Sequence, residues 1–223
     1  MIGIRAHAGI LLGGSGVITP TMLDPLNKGT GVTLTNSNKT ATKATGGVGW
    51  KTARSVLGVT TGKYYLEALF VEFSGSFIGI ALGSSAASVE NYFGFSTNGI
   101  IYVNNGTVFT NNALSTTIQT IAEGQTAGFA FDVDARLFWV RNGAGNWNNS
   151  GTANPATGVG GLAFPAGMTG TIYFGACVQT SPNDQLTINF GPTFTGTPPA
   201  GYGMLGESSP PSILGLGGVT EGA

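Results

Sequence analysis

The chain has 223 residues, of which 38 are glycine and only 9% carry a charge, where about 25% is usual for a globular protein. The formal net charge is −1 and no Lys or Arg follows Arg141, which argues against a nucleic-acid partner because no basic stripe is available. Glu, Lys, Gln and Arg are too few for long polar helices, so the composition predicts an all-β fold with many turns.

Residues 1–24 are rich in glycine and apolar side chains, and we predict that they form an extended N-terminal arm. The apolar run from Ala8 to Leu12 is too short for a membrane span, as are the other apolar runs, so no membrane insertion is expected. The large aliphatic side chains of the arm follow no helical or strand period and cannot cover one another. We therefore expect these assembly residues to bury against another subunit: Ile2, Ile4, Ile10, Leu11 and Leu12.

Residues 25–203 are predicted to form the folded domain, because short alternating segments follow one another between turn signals roughly 8–12 residues apart. In the segment "YYLEALFVEF", Glu67 shares one face of a strand with Tyr65 and Leu69. If that face is buried, the carboxylate needs a partner. Arg54, on the preceding strand, is the partner that we predict, and a solvent-facing Glu67 is the alternative.

Two strands joined by turns at Asn-Gly follow in "FGFSTNGIIYVNNG", residues 93–106, and the clearest hairpin comes later in "QTAGFAFDVDARLFWVRNG". Asp132 and Asp134 lie two residues apart in this hairpin and could serve the turn, a calcium ion or catalysis. Calcium needs six to eight oxygen ligands, which no Asp-rich loop supplies, and Asp favours turns. We therefore predict a turn and no metal site.

Groups that could carry out catalysis are scarce. The only histidine is His7, in the arm, and the single cysteine, Cys177, lies in the apolar run "IYFGACVQT", where we expect it to be buried. An internal disulfide is excluded by the cysteine count. The sequence therefore predicts no catalytic residue, no enzymatic activity and no cofactor.

Aromatic faces and amides can bind a sugar or a peptide without formal charge. Two loop surfaces have this composition: Trp147 with Asn146, Asn148 and Asn149, and Tyr102 with Asn104 and Asn105. Trp147 could instead plug the edge of the sandwich beneath a long loop, and Tyr102 carries the same ambiguity. Trp50 and Trp139 fall within predicted strands and are expected in the core.

Five motifs in this order resemble those of SPRY domains, and together they span about residues 25–203. They are "GKYYLEALF", "IGIAL", "YFGFSTNGIIYVNNG", "GQTAGFAFDVDARLFWVRNG", and "LTINFG" followed by "PPAGY". The opening "LDPLNKGTGVTLTNSNKTATKA" looks most like bacteriophage and bacterial versions of the domain. The resemblance implies a concanavalin-like β-sandwich of two antiparallel sheets. It also implies a binding module, not an enzyme, whose function lies in variable loops at one edge.

The arm, the Gly/Pro-rich tail at residues 204–223 and the resemblance lead to a first hypothesis of a bacteriophage virion structural protein. It would be a capsid decoration protein or a head or tail fibre component on the capsid or tail surface. Its expected partners are other virion proteins, further copies of itself and, as a candidate ligand, a host-surface glycan. The alternative is a soluble SPRY adaptor that recognises a short peptide. A carbohydrate-active enzyme is a third hypothesis, disfavoured because no carboxylate pair suits it.

Overall fold

A computed structural model describes residues 20–73, 75–180, 182 and 184–206. The predicted assembly residues lie outside the described residues, so their role stays a prediction: Ile2, Ile4, Ile10, Leu11 and Leu12. The same holds for the tail after Gly206. At the other end, the Thr21 amide donates a hydrogen bond of 3.2 Å to the Leu205 carbonyl, so the two ends of the described domain meet.

Fifteen strands, numbered in chain order, form two sheets among these residues. The seven-stranded sheet has the spatial order β1 (Leu23–Lys28), β4 (Val48–Val59), β13 (Ile172–Thr180), β6 (Ile78–Ser84), β7 (Gly99–Val103), β8 (Thr107–Thr110) and β9 (Ala113–Thr117). The eight-stranded sheet has the order β12 (Leu162–Ala163), β11 (Leu137–Asn142), β10 (Thr126–Asp132), β5 (Lys63–Glu72), β14 (Gln185–Asn189), β3 (Thr40–Lys43) and β2 (Val32–Thr35), with β15 (Gly203–Met204) also on β5. Only the β15–β5 pairing is parallel. The prediction of an all-β, two-sheet antiparallel sandwich is confirmed.

The main core lies between the two sheets and follows the period of two that a strand imposes on its side chains. On β5, Leu66, Ala68 and Phe70 point into it, and on β10 Phe129 and Phe131 do the same. The predicted alternation along β5 is therefore confirmed. It also places Tyr65 and Glu67 on the outer face of the eight-stranded sheet.

Each outer face is partly covered by a connection that forms a smaller apolar cluster. The segment between β6 and β7 lies over the seven-stranded sheet and seats Phe93 against two glycines. A Cβ at Gly83 would lie 2.6 Å from the Phe93 ring and one at Gly175 would lie 2.9 Å from it, so only glycine admits this contact. Over the eight-stranded sheet, Tyr202 closes a cluster around the buried Trp139.

Helical structure in the described residues is limited to three-residue 3-10 turns at Phe93–Phe95, Trp147–Asn149 and Pro155–Thr157. No described helix has the length and apolar character needed to cross a membrane.

Candidate functional site

A groove of about 280 Å³ crosses the outer face of the seven-stranded sheet. We call it the aromatic groove, and its principal residues are Trp50, Phe77, Tyr92, Asn105, Phe109 and Gln179. Trp50 lies on β4, Gln179 on β13, Phe77 just before β6, Asn105 just after β7 and Phe109 on β8. These five strands are successive neighbours in the sheet, so the groove runs across the strands.

Tyr92 lies at the centre of the aromatic rings. Its ring centroid is 5.3 Å from that of Trp50, 5.9 Å from that of Phe95 and 6.4 Å from that of Phe109. The Tyr92 hydroxyl donates a hydrogen bond of 2.5 Å to Asn112 Oδ1, and burial raises the pKa of Tyr92 above its usual value. The phenol is therefore neutral at physiological pH, and its ring orientation is fixed.

Large apolar side chains remain exposed around this centre. Phe77 is 42% exposed and Phe95 is 49% exposed. Single exposed apolar residues are ordinary, but a contiguous aromatic patch bordering a concave surface is typical of an interaction site. None of the described residues that line the groove is charged, and residues 91–122, which supply most of them, contain no Asp, Glu, Lys, Arg or His.

An ion pair fixes the loop that supplies Tyr92. Lys51 Nζ lies 2.8 Å from Glu90 Oε2, and the Thr30 amide donates to Glu90 Oε1 at 2.9 Å. The Lys51 ammonium, followed by the Thr30 amide, lowers the pKa of Glu90 below its usual value. Because Lys51 follows Trp50 on β4, these contacts hold the loop next to the tryptophan.

The residues of the second predicted loop surface, Tyr102, Asn104 and Asn105, do not lie together on the surface. Asn105 is exposed and lines the aromatic groove, where its Oδ1 accepts hydrogen bonds from the Thr107 amide and hydroxyl. Tyr102 was wrongly placed on the surface, because the alternation along β7 turns it between the sheets. Its hydroxyl donates to the Gln119 carbonyl at 2.6 Å. Asn104 is also buried, and its Oδ1 accepts from the Ile78 amide, which gives it a structural role.

The first predicted loop surface lies on the other sheet. Trp147 is half-buried, with its ring 6.4 Å from that of Tyr65 and the Arg141 guanidinium 4.4 Å above it. Asn148 holds the loop, since its Oδ1 accepts from the Val140 amide and its Nδ2 donates to the Gly160 carbonyl. Its neighbours Asn146 and Asn149 are exposed. The two predicted surfaces therefore do not form one site.

The predicted pair of Arg54 with Glu67 is wrong. Arg54 lies on β4 in the seven-stranded sheet, and Glu67 lies on β5 in the eight-stranded sheet. The connection between these consecutive strands crosses from one sheet to the other, so their side chains do not meet. The Arg54 guanidinium lies 4.3 Å from the Tyr173 ring centroid, and its Nη2 donates to Asn27 Oδ1 at 3.3 Å.

Glu67 is nevertheless buried, with 3% of its surface exposed, and it has a different set of partners. Its Oε1 accepts from the Gly196 amide at 2.6 Å and from the Tyr65 hydroxyl at 3.1 Å. Its Oε2 accepts from the Thr195 amide at 2.9 Å and from Asn189 Nδ2 at 3.3 Å. The carboxylate therefore fastens the segment after β14 to the outer face of β5.

One of the two aspartates of the clearest hairpin serves its turn, as predicted, and the other holds the turn that precedes β5. Asp132 Oδ1 accepts from the Ala135 amide, and Asp132 Oδ2 lies 3.0 Å from Lys63 Nζ. Asp134 accepts from the Gly62 amide at 2.9 Å. Among the described residues, no group of three His, Cys, Asp or Glu side chains could hold a metal ion.

Two further predictions concern burial. Cys177 is fully buried, as predicted, and burial raises the pKa of its thiol to about 12, so the thiol is protonated at physiological pH. Trp139 is also fully buried, as predicted, in the smaller apolar cluster on the outer face of the eight-stranded sheet, with its Nε1 donating to the Val159 carbonyl. Trp50 is only half-buried and faces the aromatic groove, so its assignment to the core was wrong.

The other residues of the groove were not identified from the sequence. Gln179 and Phe109 are ordinary strand residues, and Phe77 precedes a strand. The sequence contains one signal for the groove. Two aromatic residues, Tyr92 and Phe95, lie at the start of residues 91–122, a stretch without charged side chains.

Comparisons with known proteins bear on the fold. No family model matches the sequence, and a search of curated proteins finds no match. Solved structures do match: the SPRY domain of human HERC1 has a TM-score of 0.60 at 16% identity, covering 75% of this chain and 96% of that one. The TRIM65 PSpry domain has a TM-score of 0.55 at 9% identity, covering 76% and 92%. Stonustoxin has a TM-score of 0.54 at 15% identity, covering 76% of this chain but 27% of its own.

The chain therefore has a SPRY-like β-sandwich fold. Identities of 9–16% show the fold alone and carry no residue roles to this chain. None of these structures relates it to bacteriophage versions of the domain, so that part of the resemblance finds no support.

Proposed function

We propose that the protein is a binding module that recognises a short, extended segment of a protein partner in the aromatic groove. The observation that carries the proposal is a groove with an uncharged lining, formed by Trp50, Tyr92 and Phe109, on the outer face of the seven-stranded sheet. The likeness to two SPRY domains supports a module of this class.

The dimensions of the groove set the length of the bound segment. Five strands at a spacing of about 4.8 Å span about 19 Å from β4 to β8. An extended peptide rises about 3.3 Å per residue, so the groove accommodates about six residues. Such a length suits a linear motif rather than a folded surface.

The lining sets the chemistry of the segment. Aromatic rings favour large apolar side chains, and an uncharged surface gives no compensation for burying a charged one. The polar groups at the floor are amides: Gln179 Oε1 accepts from the Phe77 amide at 3.3 Å, and Asn105 lies at the turn after β7. We therefore expect an uncharged segment with two large apolar side chains.

A bacteriophage virion role is not the function proposed. That hypothesis rested mainly on residues 1–24 and 204–223, most of which lie outside the described residues. The comparisons give it no support, whereas they fit the adaptor that recognises a peptide.

Selection of binders from a library of random eight-residue peptides, followed by affinity measurement, tests the proposal. We expect uncharged peptides with two large apolar residues to be enriched. Phe77→Ala and Trp50→Ala should each weaken their binding at least tenfold, because truncating an aromatic anchor typically costs about 2 kcal/mol or more. Because Phe77 is partly exposed, Phe77→Ala should disturb the folding of the domain less than Trp50→Ala does.

Val159→Ala is the matched control, since this apolar side chain is 48% exposed and does not line the groove. Its affinity for the selected peptides should equal that of the unmodified chain. Peptides that bind the Trp50 and Phe77 variants undiminished would place recognition elsewhere and refute the proposal.

A further inference from the structure

A second cavity, of about 350 Å³, lies on the outer face of the eight-stranded sheet, on the other side of the sandwich from the aromatic groove. We call it the Arg141 cavity. Strands β5, β10 and β11 form its floor, and the segment at residues 195–197 forms one wall. Its volume falls near the lower end of the usual range for ligand pockets, about 300–1,000 Å³, which suits a small ligand.

Arg141 is held in a fixed position at this cavity. Its guanidinium stacks on the Trp147 ring at 4.4 Å, and its Nη2 donates to the Thr197 carbonyl at 2.6 Å. Its Nε is buried and has no hydrogen-bond partner among the described residues. A guanidinium offers five N–H donors in a rigid plane, and the one bond described here uses a single donor on Nη2. The covered Nε is out of reach of a ligand, so it is the terminal N–H groups at the cavity wall that form a preorganised donor to an oxygen-bearing ligand.

Glu67 compensates the charge of Arg141. A Cβ placed on Gly196 would lie 3.2 Å from Arg141 Nη2 and 3.2 Å from Glu67 Oε1, so the two groups flank the same residue. Within the described part of the chain they are the only charged residues that line the cavity, and their formal charges sum to zero. A ligand with a net charge therefore gains no net Coulombic attraction from the cavity.

The rest of the lining combines free hydroxyls with glycine backbone. The Thr126, Thr195 and Thr197 hydroxyls make no hydrogen bond within the described part of the chain, and each can both donate and accept. Gly143 is open, with nothing within 4 Å of an added Cβ, so a ligand can approach the backbone there.

From this combination we propose that the Arg141 cavity binds a neutral sugar residue. A sugar presents several hydroxyl and ether oxygens at short spacing and has no net charge, which matches a fixed guanidinium donor, three free threonine hydroxyls and a compensating carboxylate. The half-buried Trp147 acts as a positioning residue here, because it holds the plane of Arg141. This site is independent of the function proposed for the aromatic groove.

Amide NMR spectra of the full chain, recorded during titration with methyl glycosides of glucose, galactose and N-acetylglucosamine, test the proposal. We expect at least one glycoside to shift the amides of Gly128, Gly143 and Gly196, which line the cavity, without shifting the Trp50 indole. Sodium acetate and phosphate at the same ionic strength should leave these amides unchanged. Titration with the corresponding free sugars distinguishes two origins of the bound sugar. A site for the ends of glycans binds the methyl glycosides, whereas a site for free sugars requires the anomeric hydroxyl.

Two variants connect the shifts to the cavity. Ala144→Trp places a large side chain in the exposed rim and should abolish binding, while Arg141→Lys keeps the charge that balances Glu67 but loses the planar donor and should weaken binding at least tenfold. Leu114→Ala, at an exposed position on the opposite sheet that lines neither cavity, should bind the glycoside as the unmodified chain does. The proposal is overturned if no sugar shifts these amides at about 10 mM, a concentration that fills about nine-tenths of a site with a Kd of about 1 mM. It is also overturned if acetate or phosphate shifts them instead, or if Ala144→Trp binds normally.

Discussion

Replacing Glu67 with alanine should destabilise the domain strongly, although the partner predicted from the sequence is not its partner. The carboxylate is 3% exposed and accepts four hydrogen bonds, two of them from the backbone amides of Thr195 and Gly196. A hydrogen bond to a charged group is worth about 1.5–3 kcal/mol, and such bonds are not additive within one cluster. The two backbone bonds alone give an expected loss of about 3 kcal/mol in the free energy of unfolding.

Glu67→Gln should cost less. The amide can keep an oxygen toward Thr195 and Asn189, and the Tyr65 hydroxyl can turn to accept from the new amino group. The Gly196 amide then faces a donor and loses its partner, so we expect a cost of about 1–2 kcal/mol. Glu123→Ala is the matched control, because this carboxylate is exposed and a surface change of this kind usually stays within about 0.5 kcal/mol.

Urea unfolding of the full chain, followed by tryptophan fluorescence, measures these differences. A loss of about 3 kcal/mol corresponds to a fall of about 6–12 °C in Tm for a domain of this size. If Glu67→Ala unfolds within 0.5 kcal/mol of the unmodified chain, the carboxylate does not fasten the segment at 195–196, and the description of this region is refuted.

Three further predictions follow from other features. A double-mutant cycle between Arg54 and Glu67 should give a coupling energy below about 0.5 kcal/mol, because the side chains lie on different sheets, and a coupling of several kcal/mol would restore the predicted pair. Burial raises the pKa of Cys177 and of Tyr65 to about 12, above unfolded values of about 8.5 and 10. The folded state keeps both groups protonated at pH values where the unfolded state releases the protons. The contribution of this difference to the free energy of unfolding is complete below pH about 8.5 and is lost as the pH rises toward 12. Urea unfolding should therefore show stability falling over this range. Cys177→Ala should remove the part of the slope that begins near pH 8.5, and a flat profile from pH 8 to 11 would contradict the assignment. Thermal melts with and without EDTA should superimpose, and a fall of several degrees on chelation would reveal a metal site.

The sequence predicted what depends on local alternation. The period of two along β5 placed Tyr65, Glu67 and Leu69 on one face, and the Asn-Gly turns marked the ends of strands. This was enough for the two-sheet architecture, because alternating strands with one apolar face must pair their apolar faces.

The wrong predictions concern which strands are neighbours and which faces are buried, and local sequence patterns do not contain this information. The error over Arg54 and Glu67 arose because consecutive strands were taken as neighbours, whereas the chain changes sheet between β4 and β5. Tyr102 was misplaced because β7 is apolar along its whole length and buried on both faces, so its sequence does not say which residues face the space between the sheets. The aromatic groove was missed since Trp50 and Gln179 are 129 positions apart and meet only through the pairing of β4 with β13.

The hydrogen bond between the Thr21 amide and the Leu205 carbonyl holds the two ends of the described domain next to each other. Domains whose ends lie this close tolerate circular permutation and insertion into the loops of other proteins. A short linker joining residue 206 to residue 20 would allow new ends to be opened at an exposed turn, such as the one at Gly143. It also means that polypeptide attached before residue 20 and after residue 206 departs from one place on the surface, so that two fused proteins would be held side by side instead of at opposite poles.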